Sequence, residues 1–335
     1  MYARPVSESN ANTGPTATEP GPRLAIGELA RVWASVVPGL GAMPPRDPRA
    51  VAFRLFWSRR DENGFRDFPL GAGQHLVVGR HTRADVVLPS DADLSLRHLL
   101  VVPARRGEAR LRLVDLRAAM PMYATTDRPS RSLAVDGPFA VRLGTYVLGG
   151  FPVGPGCDPP PATLPSMQSV DTESASEASQ RNLSTQVGHD GGPYRSGRRS
   201  TLITNLPRPI TLVEASDAPS VGPVLATLLG RRAGQVARVA LREEDLRRGV
   251  LVGRADKCMD QGLRAVMTIQ ISRVHAVVLL DDGGTIWLYD AGSTNGTLVS
   301  GTKVRSATLA ELAPFVARSK AVLGDGIEVE LEGPG

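Results

Sequence analysis

Four short stretches in the first half of the chain return, in the same order, in the second. LVVGR, ending at Arg80, is answered by VLVGR, ending at Arg254. Ser95-Leu96-Arg97-His98 is answered by Ser272-Arg273-Val274-His275, and Leu113-Val114-Asp115 by Leu288-Tyr289-Asp290. Tyr146-Val147-Leu148-Gly149 is answered by Ala321-Val322-Leu323-Gly324. Ordered self-similarity of this kind means one fold used twice. The runs between the matches show which fold. VAFRLFW, HLVVGR, HLLVVP and ARLRLVDL in the first half, and GVLVGR, HAVVLL, TIWLYD and GIEVEL in the second, are short, rich in Val and Leu, and separated by Gly, Pro and Asp. Such runs are strands of a sandwich. The expected architecture is all-β: two antiparallel-rich β-sandwiches, each with its binding loops gathered at one end.

Composition sets the boundaries. Residues 1–22 are polar and rich in Pro and Thr, and read as disordered. A connector over 23–48 holds a short helix from Leu24 to Val37, with Leu24, Leu29, Val32, Trp33 and Val36 near one face. The first sandwich is expected over 49–154 and the second over 221–333. Between them, 155–220 carries many Ser, Thr, Gly and Pro and few large apolar residues, so it reads as a disordered tether.

Several function classes fall away. Cys157 and Cys258 are too few for a disulfide framework and lack metal-ligand spacing, and the five His are not clustered. No Walker sequence or dinucleotide fingerprint is present, so no cofactor or metal is expected. The N-terminal stretch has no apolar signal region. LARVWASVVPGLGAM, the most membrane-like segment, is broken by Pro38 and falls short of the roughly 20 apolar residues of a span. A cytoplasmic protein without membrane insertion is the expectation. The formal charge of +5 leans toward anionic partners without naming one.

The second half concentrates its polar chemistry in three places: Gly253-Arg254, Ser272-Arg273-Val274-His275, and DAGSTNGT from Asp290 to Thr297. Asn295-Gly296 alone would be a hairpin turn, yet a turn does not need Ser293, Thr294 and Asn295 in a row before the glycine. All three pieces lie at strand ends, where sandwich loops cluster. Together they supply two guanidiniums, several hydroxyls, an amide and glycines, without an acid-base pair. A phosphate monoester suits such a donor-rich cationic set, since Arg offers a planar fork and hydroxyls take the remaining oxygens.

These residues resemble the forkhead-associated (FHA) family, β-sandwiches that bind phosphothreonine peptides. Its pattern of Gly-Arg, Ser-Arg-x-His and Asp-x-x-Ser-x-Asn-Gly-Thr occurs here in order, continued by Leu298-Val299-Ser300-Gly301, and covers about Val221 to Leu331. The resemblance implies that Arg254 and Ser272 contact the phosphate, that Arg273 adds a second contact, that Thr294 helps bind the phosphothreonine, and that Asn295 bonds the peptide main chain. It makes Gly253, His275 and Gly296 architectural. The segment ADKCMDQGLRAVMTIQI, between Arg254 and Ser272, is longer than the family's and carries Gln261-Gly262 at its middle, so preference after the phosphothreonine does not transfer.

The first half departs further. Gly79, Arg80, Ser95 and His98 survive, but Leu96 stands where the second half has Arg273. DLRAAMPM, from Asp115 to Met122, puts Ala119 and Met120 where Thr294 and Asn295 stand. We expect a degenerate copy whose residual site (Arg80, Ser95, His98) does not function, with Arg97 returning some charge to it.

The function so implied is a non-enzymatic signalling adaptor acting with Ser/Thr kinases and their substrates, reading phosphothreonine through its second sandwich. Ser272, His275 and Asp290 superficially suggest a hydrolase triad, but no nucleophile elbow accompanies them. The alternatives are a phosphate-independent protein-protein scaffold and, behind it, a DNA-associated regulator supported only by Arg195, Arg198 and Arg199; nucleic acid is not an expected partner. Thr163, Thr172, Thr185, Thr201 and Thr204 offer a tether that could be phosphorylated and captured by the same chain, although hydroxyl residues that simply keep a linker soluble are the preferred reading.

Overall fold

The computed structural model describes residues 26–60, 62–104, 110–124, 129–165, 211–214, 222–256, 258, 263, 265–312, 314–324 and 326–334. Residues 1–22, most of the tether with Thr172, Thr185, Thr201, Thr204 and its arginines, and Gln261-Gly262 lie outside the described residues. Helix α1 (Ile26–Gly41) is followed by β1 (Ala52–Arg59), β2 (Glu62–Pro69), β3 (Leu76–Gly79), β4 (Val86–Val87), β5 (Leu99–Pro103), β6 (Leu111–Asp115), β7 (Met122–Tyr123), β8 (Pro129–Val135), β9 (Phe139–Leu143) and β10 (Tyr146–Val153). After β11 (Thr211–Glu214) come β12 (Val224–Arg232), β13 (Gln235–Arg242), the short helix α2 (Glu243–Arg248), β14 (Val250–Val252), β15 (Ala276–Leu280), β16 (Thr285–Asp290), β17 (Thr297–Val299), β18 (Thr302–Val304), β19 (Ser306–Leu312), β20 (Phe315–Ala317), β21 (Ala321–Leu323) and β22 (Ile327–Glu332).

The chain is nearly all β and forms two sandwiches. In the first, the strand order is β2-β1-β10-β9-β7-β8-β6-β5-β3-β4; β7 pairs with both β8 and β9 and so links the two layers into one sheet. In the second, the layers are separate sheets of order β13-β12-β22-β21-β17-β18 and β14-β15-β16-β19-β20. Each sandwich closes over its own core, one around Phe53, Leu99, Phe139 and Leu148, the other around Leu228, Val278, Leu288 and Ile327.

Two features differ from the expected organisation. Thr211–Glu214 falls within the stretch read as tether but adds a strand antiparallel to β8; TLVE is too short to carry a periodic signal. Helix α1 runs on to Gly41 with Pro38 inside it. Its stripe of Leu29, Trp33 and Val37 packs on Phe56, Val147 and Phe151 of the first sandwich. Arg54, 1% exposed, donates from Nη1 to the carbonyls of Leu40 and Met43, both at 2.7 Å, and from Nη2 to that of Pro44 at 2.8 Å. The buried guanidinium thus satisfies carbonyls at and just beyond the helix end, with Asp67 at 2.7 Å balancing its charge.

The two sandwiches share a third apolar cluster. Val77, Leu100, Val102, Val114 and Leu116 of the first pack with Leu251, Val277, Leu279, Tyr289 and Ala291 of the second. In the register of the sequence repeat these are the same five positions twice, so the seam is self-complementary in the manner of a two-fold dimer. Contacts are reciprocal as well. His75 lies against Tyr289, with ring centroids 5.3 Å apart, and its counterpart Gly249 lies against Val114, the counterpart of Tyr289. Arg112 reaches across the far end of the seam, donating to the Leu280 carbonyl at 2.9 Å and to Asp282 at 3.0 Å.

Candidate functional site

The three polar stretches of the second sandwich meet at one end of the seam-forming sheet. The backbone N–H of His275 bonds the Val252 carbonyl at 2.8 Å, that of Arg254 the Ser272 carbonyl at 3.3 Å, and that of Ala255 the Arg273 carbonyl at 3.0 Å. This ladder lays Gly253-Arg254 beside Ser272-Arg273. It also explains Gly253, because a Cβ there would collide with the Arg273 carbonyl. Ala291 N–H bonds the His275 carbonyl at 2.9 Å, which brings in the third stretch.

That third loop is held from inside. The Asp290 carboxylate accepts the Ser293 N–H and hydroxyl, both at 2.6 Å, and the Thr297 hydroxyl at 2.9 Å. Ser293 Oγ accepts the Gly296 N–H at 2.9 Å, and Gly296 takes a φ of +87°, a backbone region that favours glycine. Buried His275 donates from Nε2 to the Gly296 carbonyl at 3.1 Å. Burial pulls this imidazole below its ordinary pKa, with Arg97 pushing the same way against Asp290 and the Gly296 carbonyl. It is therefore neutral at physiological pH. Ser293 and Thr297 belong to this internal skeleton, which leaves Thr294 and Asn295 on the outside.

Arg254, Arg273, Thr294 and Asn295 are exposed and Ser272 is half-buried. Ser272 Oγ accepts the Thr294 N–H at 3.0 Å, so its own proton is free to point at a ligand. Asn295 Nδ2 donates to the Gln270 carbonyl at 2.7 Å, tying the loop to the segment before Ser272. Beside Gln270, Ile269 stands 87% exposed, an apolar side chain at the rim that the sequence did not single out. Two guanidiniums, two hydroxyls and an amide thus face solvent on adjoining loops: a cationic, donor-rich surface suited to an oxyanion. Among the described residues no group of His, Cys, Asp and Glu could hold a metal.

The first sandwich repeats the ladder bond for bond. His98 N–H bonds Val78 at 2.8 Å, Arg80 N–H bonds Ser95 at 3.2 Å, His81 N–H bonds Leu96 at 3.0 Å and Leu116 N–H bonds His98 at 2.9 Å. Ala118 N–H bonds Asp115 at 2.8 Å, the counterpart of Ser293 on Asp290. There the likeness stops. Ala118 and Met122 cannot supply the hydroxyls of Ser293 and Thr297, and the Asp115 carboxylate is met by Arg131 at 2.6 Å instead. Arg80 turns its Nε to the Leu94 carbonyl at 3.2 Å. Arg97 does not return to this site. It crosses the seam, donates to the Val274 carbonyl at 3.1 Å, and lies against Gly292.

The first sandwich also braces the second sandwich's loops from behind. His75 Nε2 bonds the Asp290 carbonyl at 2.9 Å, Ser306 donates to the Gly73 carbonyl at 2.7 Å, and Arg305 makes a two-pronged pair with Asp85. Gly73, His75, Asp85 and Arg97 carried no sequence signal for this role, because nothing in a single chain's motif marks a partner some 200 residues away.

Residues 250–314 match the family model described as the FHA domain. No curated protein matches the chain. Among solved structures the chain is similar to the FHA-1 domain of Rv1747 from Mycobacterium tuberculosis, at 22% identity, over 30% of this chain and 98% of that one, with a TM-score of 0.25. It is also similar to the FHA domain of yeast Dun1, solved with a doubly phosphorylated peptide derived from Rad53, at 20% identity, over 36% of this chain and 82% of that one, with a TM-score of 0.25. Arg254, Ser272, Arg273, Thr294 and Asn295 all lie within the stretch that matches the FHA family model.

Proposed function

We propose that the second sandwich binds phosphothreonine peptides and that the chain is a non-enzymatic cytoplasmic adaptor for Ser/Thr kinase signalling. The observation that carries this reading is the convergence of Arg254, Ser272, Arg273, Thr294 and Asn295 on adjoining exposed loops around a serine hydroxyl with a proton to donate. Arg254 and Ser272 take the phosphate oxygens, Arg273 adds charge, Thr294 meets the phosphothreonine side chain, and Asn295 bonds the peptide backbone. Gly253, His275 and Gly296 hold these groups in place. In this reading 49–154 is a degenerate copy whose Arg80, Ser95 and His98 keep the ladder without a working site, and 221–333 is the working unit. The ligand is a phosphorylated kinase, a kinase substrate, or a phosphorylated threonine of the tether.

The test is titration of the full chain with a degenerate phosphothreonine peptide library, wild type beside Arg254→Ala. Losing one charge-assisted contact removes about 1.5–3 kcal/mol, on the order of ten- to a hundredfold in affinity. Binding that needs neither the phosphate nor Arg254 would leave the phosphate-independent scaffold as the better account.

A further inference from the structure

Directly behind the Asp290–Thr297 loop, at the mouth of the seam, lies a cleft of about 320 Å³ built by both sandwiches. Arg83 and Asp85 come from the first, and Ser293, Lys303 and Arg305 from the second. Its two carboxylates are already engaged. Asp85 accepts the Val77 N–H and both prongs of Arg305, and Asp290 is filled by Ser293 and Thr297. Arg83 and Lys303 are exposed and, among the described residues, neither side chain has an ion pair or hydrogen bond. Lys303 packs its stem against Gly296, which holds it beside the loop. The cleft therefore presents two uncommitted cations from two different domains, while Arg305 balances the charge of Asp85 and the Asp290 oxygens are taken up by Ser293 and Thr297. Two like charges facing one cavity are best satisfied by an anion between them.

We propose that this cleft is a second, anion-binding subsite of the same reader, taking an acidic or phosphorylated side chain of the peptide whose phosphothreonine occupies the loop site. The proposal rests on the phosphothreonine reading above. Ser293 lines the cleft and Thr294 the loop site, so the two share a wall one residue thick. An extended peptide advances roughly 3.3–3.6 Å per residue, so the four residues on either side of the phosphothreonine reach about 13–14 Å from it and define the range to search. The first sandwich would then have lost its own reading loop and kept a part in reading, by supplying Arg83 to its neighbour.

The experiment uses the full chain and fluorescence anisotropy. Phosphothreonine peptides with neutral flanks are compared with versions carrying Glu or phosphoserine at each position within four residues of the phosphothreonine. The expected result is one position at which the acidic residue tightens binding about five- to tenfold, more for phosphoserine than for Glu. That gain disappears in Arg83→Ala and in Lys303→Gln, while the neutral peptide binds both variants as it binds wild type. A gain absent at every position, or retained in both variants, overturns the subsite and leaves the phosphothreonine reading standing. Failure of the wild type to bind any phosphothreonine peptide overturns both.

Discussion

The imidazole of His75 donates from Nε2 to the backbone carbonyl of Asp290 at 2.9 Å, across 215 residues of sequence. The bond is buried, and its acceptor belongs to the residue whose side chain organises the whole Asp290–Thr297 loop. With Arg97 on the Val274 carbonyl, it means that two of the three site-bearing stretches are held from behind by the other sandwich.

His75→Ala should therefore act on both stability and binding. Leaving the Asp290 carbonyl buried without a donor costs about 1–3 kcal/mol, and the lost ring contact with Tyr289 adds to it. A thermal melt should show the loss. Phosphopeptide affinity should fall several-fold although every ligand-facing residue is intact; unchanged affinity would confine His75 to a packing role.

Acidification should weaken the fold before the carboxylates titrate. Burial lowers the pKa of both His75 and His275, with Arg305 adding to the effect at His75. Their folded pKa values lie below the unfolded value of roughly 6.5, so between the two the unfolded chain binds more protons. Stability is then complete above that unfolded value and falls as the pH drops below it. Urea midpoints at about pH 7.5 and 5.5 should differ in that direction, and His75→Phe should reduce the difference.

Gly253→Ala and Gly79→Ala form a matched pair. A Cβ at either meets a carbonyl of the neighbouring loop, that of Arg273 or of Leu96. Both should lose about 1–3 kcal/mol of stability through forced backbone shifts. Only Gly253→Ala should also impair phosphopeptide binding by more than tenfold, because the atoms it displaces carry Arg254 and Arg273. Equal effects of the two on binding would contradict the assignment of the site to the second sandwich.

The seam should behave as core. Leu100 and Val277, both 0% exposed, are counterparts facing each other's sandwich. Placing an aspartate at either buries a charge without a partner, so Leu100→Asp and Val277→Asp should each cost several kcal/mol. Differential scanning calorimetry would show this as a large fall in the transition. A fall confined to one of two resolved transitions would show that the sandwiches unfold separately.

What the sequence determined on its own was local in origin. Strand identity followed from short Val- and Leu-rich runs, the repeat from four ordered matches, and the candidate site from motifs whose residues are near one another along the chain. Even the split within DAGSTNGT was half legible: Asn295-Gly296 announces the turn, while the inward role of Ser293 depends on its bonds to Asp290 and Gly296. The helix end at Gly41 was not legible, since it depends on Arg54 reaching back from β1 to donate to the carbonyls of Leu40, Met43 and Pro44. Nor was the destination of Arg97, whose sequence position suggested its own loop and whose guanidinium serves another. The tertiary structure alone decided that the two sandwiches pack through positions that correspond in the sequence register. An apolar position inside a sandwich and one on its seam have the same composition and the same alternation, so Val77 and Val78 read alike. Which of the two faces inward and which meets the partner is settled only when both sheets exist and the surface left over by one core is covered by the other.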